Sequence, residues 1–525
     1  MRRRWILVLL ATWGCAARSR SSQPPRDLDV LGDAHPAAAA PAAPVATDSA
    51  PPARVVAPAP PATAPVAPTP TPPPAKPDPA TLATLGWPAS TASFVVKTSA
   101  HVFEKPDMTA EPLGKIISST RLPVGASVAG DRRCKTFLAV PPRGYICARY
   151  AKPSTLPPEA IAQPIVPPGR LLPQDYYGIK KGAKRYASVE DVQAGIAKPE
   201  PRANANYMVT RDEEKGKPKE PVTIDGVSYI YTSVGLVAAE DLFRHKPSTF
   251  AGVDLIATPP PAWPFGWVIA PNSKTATARA TPAKKGEPAG TFTHRQIVPI
   301  LEESAGYVRV GDGQWIERKS VRIARKRSRP VASDADTKWI DIDRDEQVMI
   351  AYDGDAPVFA TLVSSGRRKN DTPPALYRIR SKSSLTKMAA EESEASHYIV
   401  SEVPWATRFR SGLYFHAAYW HDRFGTVQSH GCVNLSPTDA KWVYDWTDPT
   451  MPPGWNELEV RVPGSMMVRV FDAAHPDPKE FDYEKEAIQR AKIRKQEELL
   501  KKAREAVEAV GETVQRSGVK LPPRQ

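Results

Sequence analysis

The sequence predicts a mostly β protein assembled from several small modules, and three observations point there. Between Gly86 and Arg325, Val-rich apolar runs recur at spacings of roughly 8 to 12 residues, with Pro and Gly turns between them. A second set of strand-like runs opens near Lys338 with Trp339-Ile-Asp-Ile-Asp, Glu346-Gln-Val-Met-Ile-Ala-Tyr and Val358-Phe-Ala-Thr-Leu-Val-Ser. It closes near Phe471, after Glu457-Leu-Glu-Val-Arg-Val and Met467-Val-Arg-Val-Phe. Residues 476–516 instead hold Glu, Lys, Arg, Ala and Leu at helical spacing.

Taken in order, residues 1–21 read as an export signal: Met1-Arg-Arg-Arg, an apolar stretch from Trp5 to Trp13, then Gly14-Cys15. The apolar stretch is too short to span a bilayer as a mature helix. Cys15 is either the lipidated first residue of a lipoprotein or is discarded with a cleaved signal. Both readings place the mature chain in the periplasm or cell envelope, with membrane contact through a lipid anchor in the first. Residues 22–82 are mostly Ala, Pro, Val and Thr, a composition that favours extended tethers and cannot build a core. Together with 58 prolines in 525 residues, this makes the folded part smaller than the length suggests.

Three β modules follow, at 86–155, 170–247 and 262–326. Each ends in a glycine and an apolar strand: Gly144-Tyr-Ile-Cys-Ala-Arg-Tyr, Gly235-Leu-Val-Ala-Ala-Glu-Asp-Leu and Gly313-Gln-Trp-Ile-Glu-Arg-Lys-Ser-Val. They resemble bacterial SH3-like barrels. The resemblance implies binding of glycan or wall polymer, or positioning of a neighbouring catalytic domain; an all-β spacer without a ligand is the plainer alternative. The domain at 337–472 carries the chemistry, and 476–516 is a charged helix, most simply a solvated appendage.

The formal charge of +14 fits an anionic partner. The excess sits in Arg2 to Arg4, in Arg325-Lys326-Arg327-Ser328-Arg329 and in the C-terminal helix, without the interleaved aromatics of a nucleic-acid platform, so no nucleic acid is expected. Of the four cysteines, Cys134 and Cys147 flank a strand pair, and an exported protein permits a disulfide there. If they pair and Cys15 is removed or acylated, Cys432 is the odd thiol, a pattern that flags a reactive cysteine.

The segment Leu413 to Asn434 gathers three of the nine histidines, His416, His421 and His430, around Cys432. A thiol becomes a strong nucleophile once an imidazole takes its proton, so Cys plus His is the minimum apparatus for acyl transfer. His416, 432 − 416 = 16 positions upstream at the end of the apolar run Leu413-Tyr-Phe, is expected as the base. The backbone N–H groups of Gly431 and Cys432 are expected to form the oxyanion site, with His430, Ser429 and Asn434 orienting the loop. His416, His421, His430 and Cys432 can also be read as four zinc ligands, but no CxxC, HxxxH or HExxH spacing supports this, and no metal or other cofactor is expected. An inert buried thiol is the remaining bland reading.

Ser429-His430-Gly431-Cys432-Val433-Asn434, preceded by Phe415-His416 and Tyr419-Trp420-His421-Asp422, resembles the signature of the YkuD-type L,D-transpeptidases. The likeness runs over roughly residues 337–472 through Trp339-Ile-Asp-Ile-Asp, Gln347, Leu362-Val-Ser-Ser-Gly366, Thr372-Pro373 and Asp439-Ala-Lys-Trp442. It implies a β-sandwich-like catalytic domain in which Cys432 is acylated by a peptidoglycan tetrapeptide stem, expelling terminal D-alanine. His416 serves as base and proton donor, and Ser429, Asn434, Tyr414 and Trp420 bind substrate. An amine of another stem or of a protein, or water in a carboxypeptidase, then takes the acyl group. Ala417, where a glycine often follows the first His, and Thr372-Pro-Pro, which lacks the usual following Gly, depart from the pattern. A wall-binding scaffold without catalysis is the alternative from another class.

Overall fold

The computed structural model describes residues 76–516 apart from 199–205, 215–216, 261, 331–336, 368–370, 390–397 and 462–464. The export signal, Cys15 and most of the tether lie outside the described residues. The tether gives way to structure before residue 82: a short helix, Pro79–Leu85, starts where the Asp78 side chain accepts the Ala80 N–H at 3.1 Å and proline fills the first turn. Leu82 anchors this helix in the interior.

The domain at 337–472 is built on two facing sheets, a β-sandwich-like arrangement. One is six-stranded, in the order Val253–Asp254, Ala356–Leu362, Val348–Asp353, Lys338–Asp343, Met467–Phe471, Ala375–Arg378. The other contains Ser381–Ala389, Tyr398–Arg410, Leu413–Ala417, Val433–Leu435 and Trp455–Glu459. Between them Ile340, Ile342 and Met349 pack against Val403, Phe409, Phe415 and Val433. Lys338–Asp343 is buried on both faces, because its other face, Trp339 and Asp341, is covered too. Trp339 stacks on Tyr352 at 4.0 Å and packs with Phe265 and Trp267 of the 262–326 module. Asp341 is held by a two-pronged ion pair with Arg469, at 2.6 and 2.8 Å.

The upstream modules are less separate than their sequence suggests. The 262–326 module keeps a core of its own, with Val268, Val298, Val308, Ile316 and Ile323 between two small sheets. The 86–155 module shares its core: Trp455 and Leu458 of the 337–472 domain lie buried among Phe94, Val102, Leu113 and Ile146, and Pro112–Ile116 pairs with Trp455–Glu459. Residues 170–247 depart furthest from a free-standing barrel. Tyr176–Ile179, Leu242–Arg244 and Asn206–Thr210 form an edge of the second sheet of the 337–472 domain, with Asn206–Thr210 running parallel to Tyr398–Arg410. The physical reason is exposure of backbone: the start of that strand, Tyr398 to Val400, would otherwise present unpaired N–H and C=O groups along that edge. Cys134 and Cys147 are joined in a disulfide, with Cα atoms 5.9 Å apart. The charged helix runs Tyr483–Arg516 and is docked at its start. The Tyr483 hydroxyl accepts the Arg378 N–H and donates to Phe409 O, each at 2.7 Å, and Arg410 pairs with Glu486 at 3.2 Å.

Candidate active site

Two short parallel strands assemble the site. Leu413–Ala417 and Val433–Leu435 pair in the register Phe415↔Val433, His416↔Asn434, Ala417↔Leu435. Cys432 therefore enters the sheet one residue before the position opposite Phe415, at a strand end. The connection returns through Gly431 at φ 115°, a conformation that side-chain-bearing residues rarely adopt.

The loop before Cys432 is fixed by hydroxyls rather than by regular structure. Ser429 Oγ accepts the Gly431 N–H at 3.0 Å and donates to Cys432 O. Thr372 Oγ1 accepts the Gly366 N–H at 2.9 Å and donates to Gly431 O at 2.7 Å. Ser365 O accepts the N–H groups of Gln428 and Ser429, both at 3.1 Å, and Ser365 is in turn clamped by the Gln347 amide at 2.6 and 2.8 Å. Gln347, Ser364 to Gly366 and Thr372 are thus the scaffold of the cysteine loop. The Gly431 N–H, expected at an oxyanion site, is turned inward to Ser429 instead, because Ser429 Oγ bridges the turn.

His416 is 2% exposed, and its Nδ1 lies 3.2 Å from the carbonyl oxygen of Ala417. A carbonyl only accepts, so Nδ1 carries the proton and Nε2 is left with its lone pair. Burial pushes this imidazole down to about 4, against the opposing pull of the Ala417 carbonyl. The ring stacks on Trp420 at 5.6 Å. His421 is likewise pushed down to about 4, by burial first and by the neighbouring His416 second.

A cavity of about 470 Å³ is lined by His416, Cys432, Trp420, Ser429, His430 and Asn434. Cys432 is half-buried, with Sγ 3.5 Å from Gly412 O. His430 is exposed, its ring 4.8 Å from that of Tyr398. Tyr414, two residues before His416 on the same strand, is not among the lining side chains; burial raises its hydroxyl above the usual value.

Several lining residues were not legible in the sequence. Met208, Val400 and Met388 form a row across three adjacent strands, since Met208 is registered with Val400 and Val400 with Met388. Asn206 is likewise registered with Tyr398. Partners so distant in sequence leave no local signal. His421, which the sequence offered only as one of the clustered histidines and a candidate zinc ligand, also lines the cavity, together with Asp422, Arg423 and Gln428 of the same motif-bearing segment.

Asp422 ties this wall to the 262–326 module: Arg295 donates to its carboxylate at 2.6 Å and its carbonyl at 3.0 Å, with the guanidinium over the Phe250 ring at 4.7 Å. Arg322 holds Gly425 O at 2.7 Å. Asp439, in the first turn of the helix Pro437–Trp446, accepts the Gly252 N–H at 2.8 Å and the Thr361 hydroxyl, and burial raises its carboxyl to about 6.

Residues 337–463 match the YkuD family, described as an L,D-transpeptidase catalytic domain. Over 48 residues the chain is 44% identical to L,D-transpeptidase 2 of Mycobacterium tuberculosis, covering 9% of this chain and 12% of that protein. Over 120 residues it is 28% identical to the putative L,D-transpeptidase YciB of Bacillus subtilis, covering 20% and 59%. The chain thus spans less than two thirds of either relative. Among solved structures, the L,D-transpeptidase from Mycobacterium smegmatis aligns at 21% identity and a TM-score of 0.22, covering 34% of this chain and 72% of that one.

Proposed function

We propose that this chain, which carries an L,D-transpeptidase catalytic domain at residues 337–463, is an envelope acyltransferase acting on peptidoglycan stem peptides through Cys432. The observation that carries the reading is that His416 and Cys432 line one cavity, with His416 Nδ1 tied to Ala417 O so that Nε2 is available as a base.

His416 Nε2 takes the proton of the Cys432 thiol, and Sγ attacks the carbonyl carbon of the diamino-acid residue in a tetrapeptide stem. The oxyanion that forms collapses, the bond to D-alanine breaks, and the leaving amine collects the proton from His416. A thioester on Cys432 remains. An acceptor amine then attacks it, gives its proton to His416 and releases the thiol, leaving a new amide. The largely apolar row Met208, Val400, Met388 suits the aliphatic part of a stem side chain, and the half-closed cavity limits access of water to the thioester. The upstream modules act here as parts of the site wall and its frame.

Intact-mass spectrometry of the full chain, wild type and Cys432→Ala, with a tetrapeptide stem tests the reading. An adduct of the tripeptidyl group on wild type alone is expected. No mass shift on either protein after incubation, with the stem unchanged, sinks it in favour of a wall-binding scaffold.

A further inference from the structure

The cavity that holds Cys432 and His416 carries a surplus of positive charge that the steps above do not use. Its described lining residues include two arginines, Arg367 and Arg423, and a single carboxylate, Asp422. That carboxylate is already engaged: it accepts from Arg295 at 2.6 Å and from the Ser248 hydroxyl, both outside the 337–472 domain. Neither Arg367 nor Arg423 pairs with a carboxylate among the described residues. Arg367 donates to the neutral Gln428 Oε1 at 2.7 Å, and the Arg423 guanidinium makes no hydrogen bond among them.

Both arginines stand on backbone that is fixed to the cysteine loop. Gly366 is bridged to Ser429, and the Arg367 N–H donates to Ser429 O at 3.1 Å. Ser364 Oγ donates to Arg423 O at 3.0 Å, and that carbonyl also accepts the Thr426 hydroxyl at 2.7 Å. The stretch from Ser364 to Arg367 therefore carries one guanidinium and anchors the backbone beneath the other. The two charges also act on one group: His421 is pushed down by burial first and by His416 second, and Arg423 and Arg367 both add to that push against the pull of Asp422.

We propose that Arg367 and Arg423 form a seat for a free carboxylate of the donor peptide, so that the cavity selects stems by negative charge at one position. This rests on the acyl-transfer reading and adds to it a rule of donor choice. Two like charges lining one cavity without a counter-ion repel each other, and an anion bound by both removes that cost while gaining charge-assisted hydrogen bonds. Guanidinium suits the task because its planar fork matches a carboxylate. A tetrapeptide stem offers two such groups near the scissile bond: the terminal carboxylate of D-alanine, and a side-chain carboxylate where the diamino acid has one. The first departs with the alanine, and the second stays on the acyl-enzyme.

The test uses the full chain and single-turnover acylation read by intact mass, with three synthetic tetrapeptide stems: one with both carboxylates free, one amidated at the terminus and one amidated on the diamino-acid side chain. Amidation at one of the two positions is expected to raise the half-saturating concentration about tenfold with the limiting rate little changed, and the position that does so identifies the carboxylate. Arg367→Gln and Arg423→Gln are each expected to raise it by a similar factor for the free stem. For that amidated stem they leave it almost unchanged, because the interaction is already gone. Arg423→Lys, which keeps the charge but not the fork, falls between wild type and Arg423→Gln. If either Gln substitution weakens all three stems alike, the arginine acts only on the loop and the proposal is overturned; a wild type that takes all three equally well overturns it too. Both failures leave the acyl-transfer reading standing, since acylation still occurs. A wild type acylated by none of the stems sinks that reading, and the carboxylate seat with it.

Discussion

Acidification of the acylation reaction separates a buried base from a solvated one. His416 is held near 4 by burial, so at pH 5.5 about 3% of it is protonated, whereas an imidazole with the ordinary value of 6.5 would be about 90% protonated. The catalytic base must be unprotonated. The rate is therefore expected to stay within a few per cent of its plateau down to pH 5.5, to halve near pH 4, and to fall about tenfold per unit below that. Single-turnover mixing with a tetrapeptide stem from pH 3.5 to 8, quenched into intact-mass analysis, gives the midpoint. A control jump back to pH 7.5 checks that the fold survives. That control matters because buried groups of both signs titrate in the same window. His416 and His421 fold at values below 6.5, so the stability they contribute above 6.5 is lost as the pH falls toward 4. Asp341, Asp343 and Asp439 are raised to about 6 by burial and act oppositely, favouring the folded state as the pH falls from 6 toward 3.8. A reversible acid limb with its midpoint near 6.5 would refute the assignment of His416 as a desolvated base.

Other outcomes follow from the same geometry. Met208→Ala shortens the wall supplied from outside the catalytic domain and should raise KM for the stem roughly fivefold, about 1 kcal/mol, leaving kcat unchanged; an unchanged KM removes this strand from the site. Thr372→Val deletes two buried hydrogen bonds that anchor Gly431 O to Gly366 N, about 2 kcal/mol, and denaturant titration with acylation kinetics should show both the loss of stability and a slower reaction. Arg295→Ala frees Asp422 from the 262–326 module and should slow acylation more than it lowers the melting temperature; the reverse ranking would make the contact merely structural. Replacing Cys134 and Cys147 together by Ser opens a link of sequence separation 13 and should cost about 3 kcal/mol in denaturant titration while leaving the limiting acylation rate of folded protein intact.

The legible part of this protein was local. Alternation of apolar residues announced the strands, and the crowding of His416, His421, His430 and Cys432 announced a site. Asp78-Pro79 also carries a cap-and-first-turn signal, inside a segment whose Ala/Pro-rich composition otherwise favours a tether. Gly431 illustrates the limit: its positive φ is readable from residue type, but the direction of its N–H is not, because that depends on Ser429 Oγ reaching it across the turn. The pairing of the modules with the 337–472 domain was hidden for a related reason. The strands of residues 170–247 look self-contained in sequence, and nothing in Asn206–Thr210 declares a partner in Tyr398–Arg410. One practical consequence is that residues 330–475 alone would expose Trp455, now buried in the core of the first β module, and leave Tyr398–Arg410 without its parallel neighbour.

By itself, then, the sequence determined where a thiol and imidazoles gather and which segments are extended, since thiol, imidazole, glycine and side-chain alternation act over a few residues. Tertiary structure alone decided what surrounds those atoms: the desolvation that keeps His416 neutral, the hydroxyl and amide bridges that hold the Cys432 loop, and the wall of Met208, Val400 and Met388. Burial and strand pairing join residues far apart along the chain, and their energies depend on contacts that no local stretch of sequence contains.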